Sequence, residues 1–284
     1  MEDVEVTSVL AIVDEPVQRH AVNYVQFAVG GHSLPTMPQW IRVTERMRGR
    51  TVRKLSELLT GKPGSTFSSL GPEQREHLSL VSGKDGLGKP LHGHRHAYFL
   101  IWPDQSGYPT RLIVWRPEVP FTEMERLALN AAAEKPIPWG VEVPVYAVPL
   151  PPRMPLPLPF CDHARTWRSV TPFVPPAQRH RFRVNGHPRP GEAPERTAIR
   201  LLLAAGMPEP ASVVVESGKP PAFVPLHETR LFRARRESRA TTRAGSGFDL
   251  RLEFKSPVQG PIMLGDSCHF GLGLFAHAIG GNHE

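Results

Sequence analysis

Cysteine is nearly absent from this 284-residue chain, which contains only Cys161 and Cys268. Two cysteines cannot form a disulfide framework or a cysteine-rich zinc site. The sequence also lacks any apolar run near the roughly 18 to 20 residues that cross a bilayer. Its N-terminus, Met1-Glu2-Asp3, is acidic where that of a signal peptide would be basic. We therefore expect a cytoplasmic protein that has no membrane partner.

The motifs of nucleotide cofactors and of nucleophilic hydrolases are missing as well. The chain has no Gly-Lys-Ser/Thr of a phosphate-binding loop and no dinucleotide-binding glycine fingerprint between a strand and a helix. It has no Gly-x-Ser-x-Gly turn, and Cys161-Asp162-His163 lies beside a proline-rich segment, where a catalytic triad would be poorly held. The sequence supports neither a nucleotide cofactor nor a catalytic triad.

Positive charge and histidine are present in excess. The 34 Lys and Arg outweigh 27 Asp and Glu, which gives a formal net charge of +7, and the chain has 13 histidines. A positive surface attracts polyanions before specific contacts form, so an acidic partner is the first expectation. The 32 prolines and 24 glycines exclude a long helical bundle, because they require short elements separated by turns.

Residues 1–150 are predicted to form a ferredoxin-like, or RRM-like, βαββαβ domain. Strands are predicted at 5–13, 96–102, 110–116 and 141–150, with an additional apolar stretch at 22–29, a basic helix at 37–59 and a capped helix at 122–133. The resulting order is strand, helix, strand, strand, helix, strand. RNA-binding sheets commonly use this order.

The second half is predicted to repeat that order. Residues 149–160 contain too many prolines to pair in a sheet, so they predict a stiff connector and a domain boundary at residue 150. Strands are predicted at 166–174, 212–216, 223–226 and 248–254, and a helix at 193–205. The sequence therefore predicts an α+β chain of two tandem ferredoxin-like domains, 1–150 and 151–284.

The sharpest chemical signal is His92, His94 and His96, which stand at alternate positions before the predicted hairpin. Alternate residues of an extended segment point to one face. Three interpretations are open. The imidazoles could bind a metal ion, for which Asp85 is the nearest carboxylate that could orient them. They could act as general acid and base, with Arg95 screening phosphate charge. They could also simply form hydrogen bonds in a surface loop.

Clustered arginines are the candidates for RNA binding. They are Arg46 and Arg50 in the basic helix, Arg168 and Arg181 in the second half, and Arg233, Arg235, Arg236 and Arg239 in a basic loop. Guanidinium groups suit phosphate, although a solvated basic loop is the simpler interpretation. The C-terminal tail alternates glycine with apolar residues around Gly271 and Gly273. Such glycines permit close approach, either of a phosphate chain or of another backbone.

Four segments together resemble a known protein family. They are 167–176 (Trp-Arg-Ser-Val-Thr-Pro-Phe-Val-Pro-Pro), the helix end 205–208, the stretch 260–265 and the tail 268–275. They resemble the RAMP proteins of type I CRISPR systems, and most closely the subtype I-G (formerly I-U) protein that fuses a backbone subunit with a repeat-RNA-processing endoribonuclease. Gly271-Leu272-Gly273 is similar to the RAMP signature loop. The fused protein is longer, so we expect this chain to correspond to the processing half alone or to a split version.

The resemblance implies a metal-independent endoribonuclease without a cofactor. Such an enzyme cuts precursor CRISPR RNA within each repeat, its 2′-hydroxyl attacking the adjacent phosphate to leave a 2′,3′-cyclic phosphate, and it retains the crRNA beside other type I effector subunits. From spacing, we assign catalysis to His94, His96 and Arg95, with His20, Tyr24 and His32 as further candidates. A non-catalytic RNA-binding subunit of the effector complex and a histidine-rich metallohydrolase are the alternatives.

Overall fold

The structure is a computed structural model that describes residues 23–140, 143–176, 193–216 and 247–277, with the backbone of 183–184 and 187–188. Several predicted features lie outside these residues, namely the strands at 5–13 and 223–226, His20, Arg181, Arg233, Arg235, Arg236 and Arg239. Among the described helices, none has the length and hydropathy needed to span a membrane.

The first half forms a five-stranded antiparallel sheet covered by helices. Its elements are β1 (Tyr24–Gly30), α1 (Trp40–Thr60), α2 (Pro72–His77), α3 (Ser79–Ser82), β2 (Tyr98–Pro103), β3 (Pro109–Trp115), α4 (Glu123–Ala133), β4 (Ile137–Pro138) and β5 (Pro144–Pro149). The strand order is β2-β3-β1-β5-β4. Since α1 follows β1 and α4 follows β3, this is the ferredoxin-like arrangement.

The second half repeats the arrangement around a smaller sheet. Its elements are α5 (Leu158–Cys161), β6 (His163–Ser169), β7 (Arg183–Val184), β8 (His187–Pro188), α6 (Pro194–Ala204), β9 (Ser212–Val215), β10 (Leu250–Gln259) and β11 (Phe275–His277). The order β11-β6-β10-β9 matches the order β5-β1-β3-β2 of the first sheet. Between β10 and β11, a 3₁₀ turn at Cys268–Phe270 takes the place of the second helix. The predicted α+β class with tandem ferredoxin-like order is confirmed.

Two local predictions have different outcomes. Among the described residues the first unit begins with β1, formed by the stretch treated above as additional, while the predicted strand at 5–13 lies outside them and stays a prediction. The predicted capping box at the start of α4 is confirmed. The Thr122 hydroxyl accepts from the Glu125 N–H, and the Glu125 carboxylate accepts from the Thr122 N–H. That carboxylate also pairs with the buried Arg116 guanidinium, at 2.6 and 2.9 Å.

The two faces of the first sheet have different partners. One face packs on α1 and α4 through Phe27, Phe99, Leu112, Val114 and Leu129. The other face packs on the second half of the chain, where Tyr98, Leu100 and Ile113 meet Phe160, Cys268 and Leu274. Because neighbouring residues of β2 point to opposite faces, this packing places the start of β2 against the Cys268–Phe270 turn.

Candidate active site

A sharp bend in the chain brings two of the predicted histidines to that turn. Gly93 and His94 both have left-handed backbones, with φ of 84° and 54°, and β2 begins only at Tyr98. His92, His94 and His96 therefore do not share one strand face, and that prediction is wrong. A positive φ is uncommon for residues other than glycine, and such conformations concentrate at functional sites. Here the bend turns His94 and His96 toward His269.

His94 and His269 form a hydrogen-bonded pair of imidazoles. His94 Nδ1 lies 2.9 Å from His269 Nε2. The ring planes differ by 9° and the ring centroids are 5.2 Å apart. Since the nearest nitrogens are much closer than the centroids, the rings lie edge to edge in nearly one plane. This geometry directs an N–H of one ring at the lone pair of the other.

The His96 ring stacks on the face of the His269 ring. The His96 and His269 ring centroids are 3.5 Å apart, and the Tyr98 ring lies 3.9 Å from His269. Gly83 packs against the His96 ring, because a Cβ added to Gly83 would come within 2.7 Å of that ring. His94, His96 and His269 are called the histidine cluster below. Its outermost member is His94, which is exposed, whereas His269 is largely buried.

The turn that carries His269 is anchored from the first half of the chain. The Thr44 hydroxyl of α1 donates to the Phe270 carbonyl at 2.8 Å. Gly271 lies against β2, since a Cβ there would be 3.3 Å from the Phe99 carbonyl. His269 could not be found from residue spacing, because it lies 175 residues from His94. The only sequence signal for it was its place in the glycine-rich tail.

Burial keeps the whole cluster uncharged at neutral pH. Desolvation lowers the pKa of His94, and it lowers the pKa of His269 well below the ordinary value. Desolvation is also the main cause that lowers the pKa of His96 to about 3, and the charges of Arg48 and His94 add to it. At neutral pH all three rings are therefore uncharged, and none of them is an imidazolium that could act as the acid.

The hydrogen bonds then indicate which nitrogen is the base. His269 Nδ1 lies 3.4 Å from the Ala97 carbonyl. A carbonyl can only accept, so this nitrogen carries the hydrogen and His269 Nε2 accepts from His94 Nδ1–H. The remaining lone pair of His94 is on Nε2, on the exposed ring of the cluster. The arrangement offers a neutral imidazole base oriented by a second imidazole.

A metal ion would need a different arrangement of the same side chains. Ligand atoms of His94, Cys268 and His269 lie within 4.8 Å of one another, and Cys268 Sγ is 4.0 Å from His94 Nδ1. A zinc ion bound by this pair would have to lie roughly 2.0–2.1 Å from both His94 Nδ1 and His269 Nε2, with the lone pair of each nitrogen directed at the metal. In the edge-to-edge pair one of those lone pairs accepts a hydrogen bond instead. The described geometry therefore favours the hydrogen-bonded pair.

The predicted cationic residues are distributed over several surfaces. Arg95 is exposed in the bend between His94 and His96. Arg48, which was not among the predicted site residues, lies with its guanidinium 5.2 Å from the Phe270 ring centroid. Arg46 and Arg50 lie two positions away on α1 and so face elsewhere; they donate to the Pro138 carbonyl and to those of Lys135 and Pro136.

The remaining predicted residues lie away from the cluster or inside the packing. Arg168 lies on β6, 3.5 Å from Glu216. Gly271 and Gly273 are buried, so their assignment to RNA binding stays a prediction. Tyr24 donates to the Met154 carbonyl at 3.1 Å. Tyr24, the first residue of β1, and Tyr98 both pair with Trp115, so they lie at the same end of the sheet. His32 lies two residues beyond the last residue of β1, at the opposite end.

Acid should destabilise the protein through this cluster. An unfolded imidazole has a pKa near ~6.5, whereas His96 in the fold has a pKa of about 3. Between these values the unfolded chain binds more protons, so the stability is complete above pH ~6.5 and is lost as the pH falls. From pH 7 to pH 5 we expect His96 to account for about 2 kcal/mol. Urea unfolding at both pH values measures this loss.

The His96→Phe variant keeps a ring in the stack and removes the titration. Its free energy of unfolding should fall less between pH 7 and pH 5 than that of the wild type. His77, exposed on α2, supplies the control His77→Gln, which should leave the wild-type pH dependence in place. Equal pH dependence in wild type and His96→Phe would show that burial of His96 has no such effect.

Comparisons with known proteins give limited likenesses. No protein-family profile and no curated protein matches the sequence. Among solved structures, a CRISPR-associated protein Cas6 aligns with a TM-score of 0.43 at 8% identity, covering 90% of this chain and 98% of that one. A RAMP protein that binds different RNA substrates has a TM-score of 0.38 at 11% identity, covering 89% and 98%.

A third solved structure is the CRISPR endoribonuclease Cse3 bound to a 19-nucleotide RNA. It aligns with a TM-score of 0.34 at 13% identity and covers 89% of this chain and 97% of the other. The solved structures that resemble the chain thus include CRISPR-associated and RAMP proteins.

Proposed function

We propose that this protein is an endoribonuclease that cuts CRISPR repeat RNA without a metal ion, with His94 as the general base. The observation that carries the proposal is the exposed His94 ring, held edge to edge by His269 with its Nε2 lone pair unused by the pair. An uncharged imidazole near the surface of a chain of net charge +7 suits the removal of a proton from an RNA hydroxyl.

In the proposed reaction, His94 Nε2 takes the proton of a ribose 2′-hydroxyl. The 2′-oxygen forms a bond to the adjacent phosphorus, and the bond between phosphorus and the 5′-oxygen breaks. The products are a 2′,3′-cyclic phosphate and a 5′-hydroxyl, whose oxygen receives a proton from an acid or from solvent. Arg95, exposed beside His94, supplies positive charge to the phosphorane.

His96 has a second role in this proposal. Spacing predicts it as a catalytic residue, and that assignment stays a prediction. Its stacking on His269 at 3.5 Å and its pKa of about 3 favour a positioning role. A ring that is uncharged at neutral pH cannot protonate the leaving oxygen. By stacking on His269, however, it orients the ring that accepts the hydrogen bond from His94 Nδ1–H.

The sequence resemblance supports three narrower parts of the proposal. They are membership in subtype I-G, retention of the crRNA after cleavage, and association with other type I effector subunits. We also propose that the chain is divided into two domains, 1–150 and 151–284. In this division His94 and His96 come from the first domain and His269 from the second, so the base and its partner meet only when the two domains are packed together.

The product ends of a cleavage reaction test the proposal. Repeat RNA incubated with the protein in EDTA should be cut and should leave a 2′,3′-cyclic phosphate. An analogue with 2′-deoxyribose at the cleavage position should bind and stay intact, since the attacking oxygen is missing. RNA that binds but is never cut would identify a non-catalytic binding subunit. Cleavage that requires an added divalent cation would contradict a metal-independent mechanism.

A further inference from the structure

A cavity of about 390 Å³ lies between α1 and the segment that leads to the histidine cluster. One wall is a single face of α1. The other wall is formed by residues 66–68 and by the end of α3. The lining residues are Glu45, Arg48, Gly49, Val52, Arg53, Thr66, Phe67, Ser68, Ser82 and Lys84. Its volume is near the lower end of the roughly 300–1,000 Å³ of small-molecule sites.

The lining combines apolar surface with positive charge. Val52 and Phe67 are apolar and Gly49 adds no side chain, while Arg48, Arg53 and Lys84 are cationic against the single carboxylate of Glu45. Lys84 Nζ lies 5.3 Å from the centroid of the Phe67 ring. A ligand that matches these walls has a flat apolar body and a negative charge. A nucleotide has both.

The cavity shares a wall with the histidine cluster. Gly83, between the lining residues Ser82 and Lys84, packs directly on the His96 ring. Arg48 lines the cavity, and its charge also lowers the pKa of His96 and His269. A nucleotide in the cavity would therefore be a near neighbour of a phosphate placed at His94.

We infer that this cavity holds one unpaired nucleotide of the RNA, next to the phosphate that is cut. The inference rests on the proposed function for the identity of the RNA. The base lies against Phe67, Val52 and Gly49, and its phosphate lies toward Lys84 and Arg53. The edge of the base or the ribose faces the hydroxyls of Thr66 and Ser68, which hydrogen-bond to each other, and that of Ser82, which bonds to the Lys84 backbone. The cavity thus fixes the register of the RNA at His94.

Gly49 provides a variant that fills the cavity. It lies inside the 21-residue helix α1, where glycine costs helix stability relative to leucine. Gly49→Leu should therefore keep the helix while its side chain occupies the space for the base. Lys84→Gln is a second variant, which removes one positive charge and fills nothing. Its matched control is Lys89→Gln, because Lys89 is exposed in the same loop and does not line the cavity.

Equilibrium binding of repeat RNAs that carry a single abasic site at each position in turn is the test. For wild type, one position beside the cleavage site should weaken binding about tenfold when abasic, since base stacking on protein aromatics is of that size. Gly49→Leu should bind intact RNA about as weakly as wild type binds that abasic RNA. An abasic site at the same position should not weaken the binding of Gly49→Leu any further. Lys84→Gln should weaken binding of intact RNA more than Lys89→Gln does.

The readout is separate from cleavage, so the two proposals can fail independently. If the abasic position is found but the RNA stays uncut, the cavity is supported and the nuclease is not. If the RNA is cut while wild type and Gly49→Leu share one flat abasic profile, the cavity inference is overturned. A flat profile combined with calorimetric binding of free nucleoside monophosphates would also overturn it, because the cavity would then serve a small molecule. If the protein binds no RNA at all, the cavity inference is overturned as well.

Discussion

Replacing His94 with asparagine should lower the cleavage rate of repeat RNA by about 10²- to 10⁴-fold, the usual contribution of a general base. Asparagine tolerates the left-handed backbone that His94 adopts, with φ of 54°, so the bend should persist. The RNA affinity should stay close to that of the wild type. Single-turnover cleavage and filter binding on the same RNA separate the two effects.

His92→Asn is the matched control for this variant. His92 is exposed, two residues earlier in the same loop, and the rings that contact His269 are those of His94, His96 and Tyr98. The control should cut RNA at the wild-type rate. If His94→Asn retains the wild-type rate, or if His92→Asn loses as much activity, the assignment of the base to His94 is wrong.

Gly273→Ala should have the largest effect on stability, about 4 kcal/mol or more. Gly273 has φ of 58°, and a Cβ added to it would lie 1.8 Å from the Leu264 carbonyl oxygen, which belongs to the backbone. A backbone atom cannot rotate away as a side chain can, so the tail would have to leave its position. Because that tail carries His269, cleavage should fall together with stability. Urea unfolding followed by circular dichroism measures the change.

Gly64→Ala is the control that separates the steric clash expected in Gly273→Ala from the cost of a left-handed backbone at alanine. Gly64 has φ of 81°, and nothing lies within 4 Å of a Cβ built there. Only the left-handed backbone penalises alanine at this position, at about 1–2 kcal/mol. Similar losses in Gly64→Ala and Gly273→Ala would show that the close approach of Gly273 to Leu264 does not matter for stability.

The order of elements could be predicted from the sequence because it depends on local patterns. Helix α1 repeats apolar residues at helical spacing, and Trp40, Val43, Met47 and Leu55 are buried as that spacing requires. The hairpin of β2 and β3 follows from two apolar runs around a turn. The start of α4 follows from its capping box. Each of these signals lies within about one element of the chain.

The candidate site could be predicted only in part, because it depends on contacts between distant residues. The histidine run was visible, but the alternate spacing suggested a strand where Gly93 and His94 bend the chain. His269 and Arg48 join the site only because the second half packs on the first sheet through Leu100, Ile113 and Leu274. No local pattern reports that packing. Burial, which lowers the pKa of each clustered histidine, depends on it too.

Chemical rescue tests the central claim most directly. In His94→Gly the imidazole is removed, and the left-handed backbone of this position is retained at no steric cost. We predict that this variant in EDTA cuts repeat RNA very slowly, and that free imidazole in the buffer restores cleavage in proportion to its neutral form. Cleavage by His94→Gly that ignores imidazole but returns with a divalent cation would contradict the account.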